Sequence, residues 1–307
     1  MSKNKLGFLV LVPLLILLGS SGFLKSESNF HFDFINKSKG LEEIVQRNLQ
    51  GKDGKYAVYI EELNPSANGD PEVYQRSWQD SPEAYGLNAK EVFPAASLYK
   101  LYLMVEVLKE VDIGRLKMED GVSASKEHLI SVLGEDEYGI NDLPDTLELS
   151  VDEALTRVGR ISDNFSAVML SEKVGWDKVQ EMADSLEAKN TKVQDPITTT
   201  AQDTALFFKK LYLKQIVNEK VSSDIVRYLS LNQINDRIPV GGGNVTHKTG
   251  ELAGIRHDGG IVYLGSKGDA FRAYVIVLMS KDLQYEDEGV ETLAKISKDV
   301  YEYFKNK

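Results

Sequence analysis

Apolar residues recur at helical spacing from the start of the first patterned segment: Leu41, Ile44, Val45 and Leu49 fall on one face, and Gly51 ends the run. Tyr56 to Ile60 is a run of β-formers bounded by Gly54 and by Asn64-Pro65, which predicts a strand. Asn68-Gly69-Asp70 then predicts a hairpin turn. Leu98, Leu101, Met104, Val105, Leu108 and Val111 return to the helical period, with Pro94 upstream and Gly114 at the end. Leu103 and Val107 place apolar groups on further faces of that helix, so it should be buried. Residues 119–146 are polar and rich in Gly, Asp and Glu, and read as surface turns. Helical patterns resume over Val151 to Val158, Phe165 to Val174, Trp176 to Leu186 and Thr200 to Leu213. After Gly241-Gly242-Gly243 come three β-like runs, Val245 to Leu252, Gly260 to Leu264 and Phe271 to Met279, then a final helix over Glu288 to Phe304.

The order is helix, strands, a long helical middle, three strands and a terminal helix. Strands from the two ends of a chain can share one antiparallel sheet, while the helical middle forms a second lobe. The expected class is α+β with two lobes: an antiparallel sheet flanked by N- and C-terminal helices, plus an all-helical lobe, with a site at the seam. This domain is expected over residues 41–307, preceded by a linker over 25–40 that mixes Ser, Asn, Lys and aromatics without a period.

Residues 1–24 read differently. Lys3 and Lys5 precede a run from Leu6 to Leu18 that is apolar apart from Gly7 and Pro13, followed by Gly19-Ser20-Ser21-Gly22. That is the pattern of a signal peptide or a short membrane anchor, and its length fits either; a buried core helix suits the basic N-terminus less well. On either of the first two readings the remainder works outside the cytoplasm, secreted or held at the membrane by this segment.

The chain has 307 residues, with 42% hydrophobic and 27% charged, ordinary values for a globular protein able to bury a full core. Its formal net charge of -11, with no basic stripe, argues against a nucleic-acid partner. There is no cysteine, which excludes disulfides, thiolate nucleophiles, Cys-based metal sites and lipid attachment through cysteine.

Three short motifs carry the candidate chemistry: Ser97-Leu98-Tyr99-Lys100, Ser162-Asp163-Asn164 and Lys248-Thr249-Gly250. S-x-x-K also occurs at Ser2/Lys5 and Ser123/Lys126, but only Ser97 opens an apolar helix; Ser123 sits in a polar stretch suited to a helix cap or to solvent. Residues three apart share a helix face, so Lys100 is expected to stand over Ser97. A lysine among apolar groups loses hydration, its pKa falls, and a neutral amine can take the serine proton. Without that activation Ser97 would be an ordinary N-cap. Ser162 could relay a proton to the leaving group, Asn164 could bind substrate, and Asp163 could brace the turn, although all three residue types also cap helices. Lys248 and Thr249 on an edge strand could hold a carboxylate, with Gly250 leaving room for substrate alongside. The backbone N–H of Glu251 would share an oxyanion hole with that of Ser97, and Arg256 is a candidate second cation. The histidines (His31, His128, His247, His257) are scattered, and His247 reads as strand packing. No G-x-S-x-G, H-E-x-x-H or P-loop competes.

From about residue 41 onward the chain resembles the class A β-lactamase-related serine hydrolases of the penicillin-recognising superfamily. The resemblance rests on Phe93-Pro94-Ala95-Ala96-Ser97-Leu98-Tyr99-Lys100, Ile161-Ser162-Asp163-Asn164, Thr198-Thr199-Thr200-Ala201 and Val245-Thr246-His247-Lys248-Thr249-Gly250. It implies acylation of Ser97 by β-lactams or D-alanyl peptides, with no metal or organic cofactor. It also exposes a departure. Class A enzymes carry a glutamate that activates the deacylating water, in a loop before the Thr-rich block; here Leu186 to Pro196 is short and lacks the expected glutamate. Glu187 reads as the end of the preceding helix, and Glu172 and Glu181 as solvated. Slow deacylation is the expectation. Three functions stay open: a β-lactam hydrolase, a D-alanyl-D-alanine peptidase or transpeptidase on peptidoglycan, and a non-catalytic penicillin-binding sensor.

Overall fold

The computed structural model describes residues 38–63, 82–267 and 270–307, all within one unit spanning Phe34–Lys307. The expected hairpin at Asn68-Gly69-Asp70, residue His31 and the targeting segment 1–24 lie outside the described residues.

Five strands form one antiparallel sheet: β1 (Lys55–Leu63), β2 (Ala84–Leu87), β7 (Asn244–Leu252), β8 (Ile255–Lys267) and β9 (Ala270–Lys281). Their spatial order is β2-β1-β9-β8-β7, so strands from both ends of the chain interleave and β7 is an edge. β1 is buried almost throughout rather than alternately, because both faces of the sheet are covered. On one face Val58, Ile60, Ile276 and Leu278 pack against α1 (Lys39–Leu49) and α9 (Glu286–Asn306) through Leu41, Val45, Leu293 and Val300. Ser38 caps α1, so the helix starts within the stretch expected to be linker.

The opposite face meets the second lobe. That lobe contains α2 (Lys100–Asp112), α3 (Lys126–Leu133), α4 (Val151–Ile161), α5 (Asn164–Val174), α6 (Trp176–Ser185), α7 (Ala201–Tyr212) and α8 (Glu219–Leu229). It is helical apart from two small ribbons, β3 (Phe93–Pro94) with β6 (Thr198–Thr199), and β4 (Gly121–Ser125) with β5 (Thr146–Ser150). The last ribbon and α3 correct the expectation of plain surface turns over 119–146: Val122, Ala124, Leu147 and Leu149 alternate inward, a period-two signal masked by the polar residues between them. α8 was also not anticipated from the sequence. α2 is enclosed on all sides, with Leu101 to Leu108 buried, as its multi-faced apolar pattern requires.

The lobes are pinned across the seam by Lys209 on α7 and Glu61 on β1, 2.8 Å apart and each 2% exposed. The Tyr59 hydroxyl donates to the other Glu61 oxygen at 2.5 Å. Removing one member of such a pair leaves the other charged and desolvated. Lys209→Met should therefore destabilise the fold by about 3–5 kcal/mol, and Glu61→Leu combined with Lys209→Met should recover most of that loss. Urea unfolding of both variants checks this; additive losses would show that the pair is not coupled.

Candidate active site

Four segments converge beside the edge strand β7. Ser97 lies in a 3-10 turn, Ala96–Tyr99, that leads directly into α2, with the Lys100 backbone N–H reaching back to the Ser97 carbonyl. Ala96 enters the turn at φ 46°, a left-handed conformation costly for a residue with a Cβ and held by the structure around it. Ala95 N–H donates to Ile197 O at 3.0 Å, and β3 pairs with β6, so the turn rests on the Thr-rich block. On the other side sits β7. A Cβ added to Gly250 would come within 3.2 Å of Ala95 O and Ala96 Cβ, so glycine at this position eases the close approach of the strand.

The Ser162-Asp163-Asn164 turn joins α4 to α5. Asp163 caps α5 by accepting from Ser166 N–H at 2.8 Å, while Ser162 ends α4 at φ 60°. The capping preference and the presentation of side chains are therefore both satisfied here: the cap holds the turn, and the left-handed Ser162 aims its neighbours inward.

Lys100 has no solvent exposure. Its Nζ donates to Ser162 O at 2.6 Å and Asn164 Oδ1 at 2.5 Å, and lies 3.5 Å from Ser162 Oγ. Burial lowers its pKa to about 7, partly opposed by the negative charges of Asp163 and Glu137. The amine is anchored on the Ser162 turn, and among the described residues it makes no hydrogen bond to the Ser97 hydroxyl. Lys248, also fully buried, donates to Ser162 Oγ at 2.7 Å and Thr249 O at 2.7 Å. Desolvation, and then repulsion from Lys100, hold its pKa well below the usual lysine range. Thr249 Oγ1 is buried and has no protein partner.

Arg256 does not join this group. It forms an ion pair with Glu286 at the start of α9 and donates to Leu252 O and Ile255 O, so the second-cation expectation is corrected. Arg256 stands opposite Glu251 in the hairpin, three positions from Lys248 and its partner Gly259, where Glu286 is within reach. The arginine whose charge acts on Lys248 is Arg237, 1% exposed, which pairs with Glu251 and donates to His257 O at 2.9 Å. No periodic or motif signal marked it.

Two further side chains went unmarked in the sequence. His257 receives Ser280 N–H on Nδ1 at 3.2 Å and donates from Nε2 to Pro94 O at 2.9 Å, bracing the strand that enters the Ser97 turn. Burial lowers its pKa to about 4, so it stays neutral. Glu137 accepts from Asn164 Nδ2 at 2.8 Å. It comes from the acidic stretch read as a surface turn, and nothing local distinguishes it from Glu135. His247 is buried in β7 and donates to buried Asp258 at 2.8 Å. Among the described residues no cluster of His, Cys, Asp and Glu could hold a metal ion.

The loop from Leu186 to Pro196 is closed by a two-bond bridge between Lys192 and Thr198. Its Glu187 pairs outward with Lys210 at 2.7 Å, and Asp195 lines a surface cavity with Asp177 and Glu181.

Comparison with known proteins follows the same architecture. A solved structure of PBP-A covers 88% of this chain and 97% of its own, at 21% identity and a TM-score of 0.72. A β-lactamase from Sphaerobacter thermophilus DSM 20745 covers 86% of this chain and 96% of its own, at 21% identity and a TM-score of 0.70. At that identity the likeness speaks for the fold. In sequence, D-alanyl-D-alanine carboxypeptidase DacF of Bacillus subtilis (strain 168) is 29% identical over 140 residues, which are 41% of this chain and 35% of that protein. The model of the β-lactamase enzyme family matches residues 40–304, from the first described helix almost to the end of the last. With the match running the length of both lobes, this chain belongs to the β-lactamase enzyme family, among the penicillin-recognising serine hydrolases.

Proposed function

We propose that this protein is an extracytoplasmic enzyme that acylates itself on Ser97 with β-lactams or D-alanyl peptides and releases the acyl group slowly. The observation that carries the reading is the convergence of Lys100, Ser162, Asn164 and Lys248 beside the Ser97 turn and an open sheet edge. A neutral amine has two N–H groups and one lone pair. Lys100 spends both N–H groups on Ser162 O and Asn164 Oδ1, which leaves the lone pair to take the Ser97 proton. Ser97 Oγ then bonds to the lactam or peptide carbonyl carbon, the C–N bond breaks, and the proton passes through Ser162 to the departing nitrogen. Backbone N–H groups of Ser97 and Glu251 would stabilise the oxyanion. Lys248, Thr249 Oγ1 and Arg237 offer cationic and hydroxyl partners to a substrate carboxylate.

Slow release follows from the short loop. Its carboxylates face outward, so none is set to activate water at the acyl carbon, and loss of a general base costs roughly 10²–10⁴-fold. An acyl-enzyme of a PBP-A variant with penicillin G supports the β-lactam side of the reading, and the carboxypeptidase relative supports the peptide side. The location rests on the basic and apolar residues of 1–24.

Intact mass spectrometry after penicillin exposure should show one adduct that forms quickly and persists, and none in Ser97→Ala. Rapid return to the free mass with many turnovers would overturn slow deacylation. A Ser97→Ala protein that kept both ligand affinity and biological effect would favour the sensor reading, and parallel assays with nitrocefin and a D-Ala-D-Ala peptide separate the two enzymatic ones. The acylation rate should rise with pH through about 7, because Lys100 acts only after losing its proton there. Lys100→Met should lower the rate roughly 10²–10⁴-fold and abolish that acid limb; a wild-type profile flat between pH 5 and 8 would exclude Lys100 as the base.

A further inference from the structure

Glu251 is the acidic side chain of the strand that carries Lys248 and Thr249. Arg256 stands opposite it in the hairpin but is paired with Glu286, and Glu251 pairs instead with Arg237. The two ends of that pair differ. Arg237 is 1% exposed, whereas the Glu251 side chain is 43% exposed and belongs to the open edge of the sheet. A buried guanidinium is thus covered by a carboxylate that stands in solvent.

Other donors of Arg237 are committed as well. Its Nη1 donates to His257 O at 2.9 Å, and Asp236 Oδ1 lies 3.1 Å from Nε. Two carboxylates therefore share one guanidinium. Lys248 adds little free charge: desolvation first, and Lys100 next, hold its pKa well below the usual lysine range, while Glu251 and Arg237 act on it with opposite signs. A negative group arriving at Lys248 and Thr249 meets positive charge that the protein has already matched. It gains the guanidinium only by displacing Glu251, which is tethered to the strand and loses less freedom on pairing than a free ligand does.

We propose that Glu251 is a specificity residue: by holding Arg237 as a tethered competitor, it turns the site towards acyl donors whose leaving group is uncharged, such as an internal amide or an ester. The inference rests on the acyl-enzyme reading given above.

Two thioesters isolate the charge on the leaving group. N-benzoylglycyl thioglycolate ends in a carboxylate, and its thioglycolamide analogue ends in an amide of similar size. Each transfers the same benzoylglycyl group to Ser97 Oγ as the C–S bond breaks and the thiol leaves, so the adduct is identical. Second-order rates on the full chain are read by intact mass and by thiol release. Dividing each by the compound's own rate of hydroxide hydrolysis removes the difference in leaving-group reactivity. The resulting carboxylate-to-amide ratio should lie below one in the wild-type protein. Glu251→Gln should raise it about tenfold, because the substrate carboxylate can then take the charge-assisted place beside Arg237. Added salt should lower the ratio in that variant by screening the attraction. An effect of the substitution on the oxyanion hole acts on both rates and leaves the ratio unmoved. A wild-type ratio above one would overturn the inference alone, whether or not the variant folds. A ratio unchanged in Glu251→Gln would do the same, as would adducts from penicillin but from neither thioester. Absence of an adduct with penicillin and with both thioesters would instead overturn the acyl-enzyme reading, and this inference with it.

Discussion

Two amines without solvent exposure, Lys100 and Lys248, meet at one hydroxyl, and the site is organised around the difficulty of keeping them there. Both cannot be charged cheaply in a dry interior at such close quarters. The surroundings resolve this with neutral acceptors, the carbonyls of Ser162 and Thr249 and the amide oxygen of Asn164, rather than with a carboxylate in direct contact. Asp163 and Glu137 act on Lys100 from one step further out. An amine near its titration point is useful for moving protons, whereas one locked in a buried salt bridge is not. Lys209, paired directly with Glu61 at the seam, shows the contrast within the same protein.

That arrangement depends on both lobes. Lys100 belongs to the central helix of the helical lobe and Lys248 to the edge strand of the sheet, and Ser162 bridges them. The distances hold because the Ser97 turn is supported from several sides. Ile197 receives the Ala95 N–H, His257 braces Pro94, and the bare backbone of Gly250 allows β7 to close in. Each support is a short-range contact with little slack. A Cβ at position 250 would crowd Ala95 O and Ala96 Cβ at 3.2 Å.

On the proposed reading, the short loop before the Thr-rich block sets the balance between acylation and release. It is closed by the bridge between Lys192 and Thr198, and its Glu187 pairs with Lys210. The groups that would form the acyl bond are on rigid elements, while those that would cleave it with water are not supplied by this loop. Glu137, entering from a different loop, accepts from the Asn164 amide.

Much of this was legible in one dimension. The helical period of α2, the β-runs at both ends of the chain and the three motifs are local patterns, and the physics that sets them is local: side-chain spacing, capping and turn chemistry. They were sufficient for the α+β class and to single out Lys100, Ser162, Asn164 and Lys248, which the structure brings together. What tertiary structure decided was which isolated polar residue faces which. Arg256 was the cation the sequence offered near the lysine strand, yet packing pairs it with Glu286, and the segment leading into β7 supplies Arg237 instead. Glu137 and Glu135 share a loop and a chemistry, and only folding brings one of them within 2.8 Å of the Asn164 amide. Periodicity reports the face a residue presents to its own element; the partner it finds across a seam is set by packing between elements far apart in the chain.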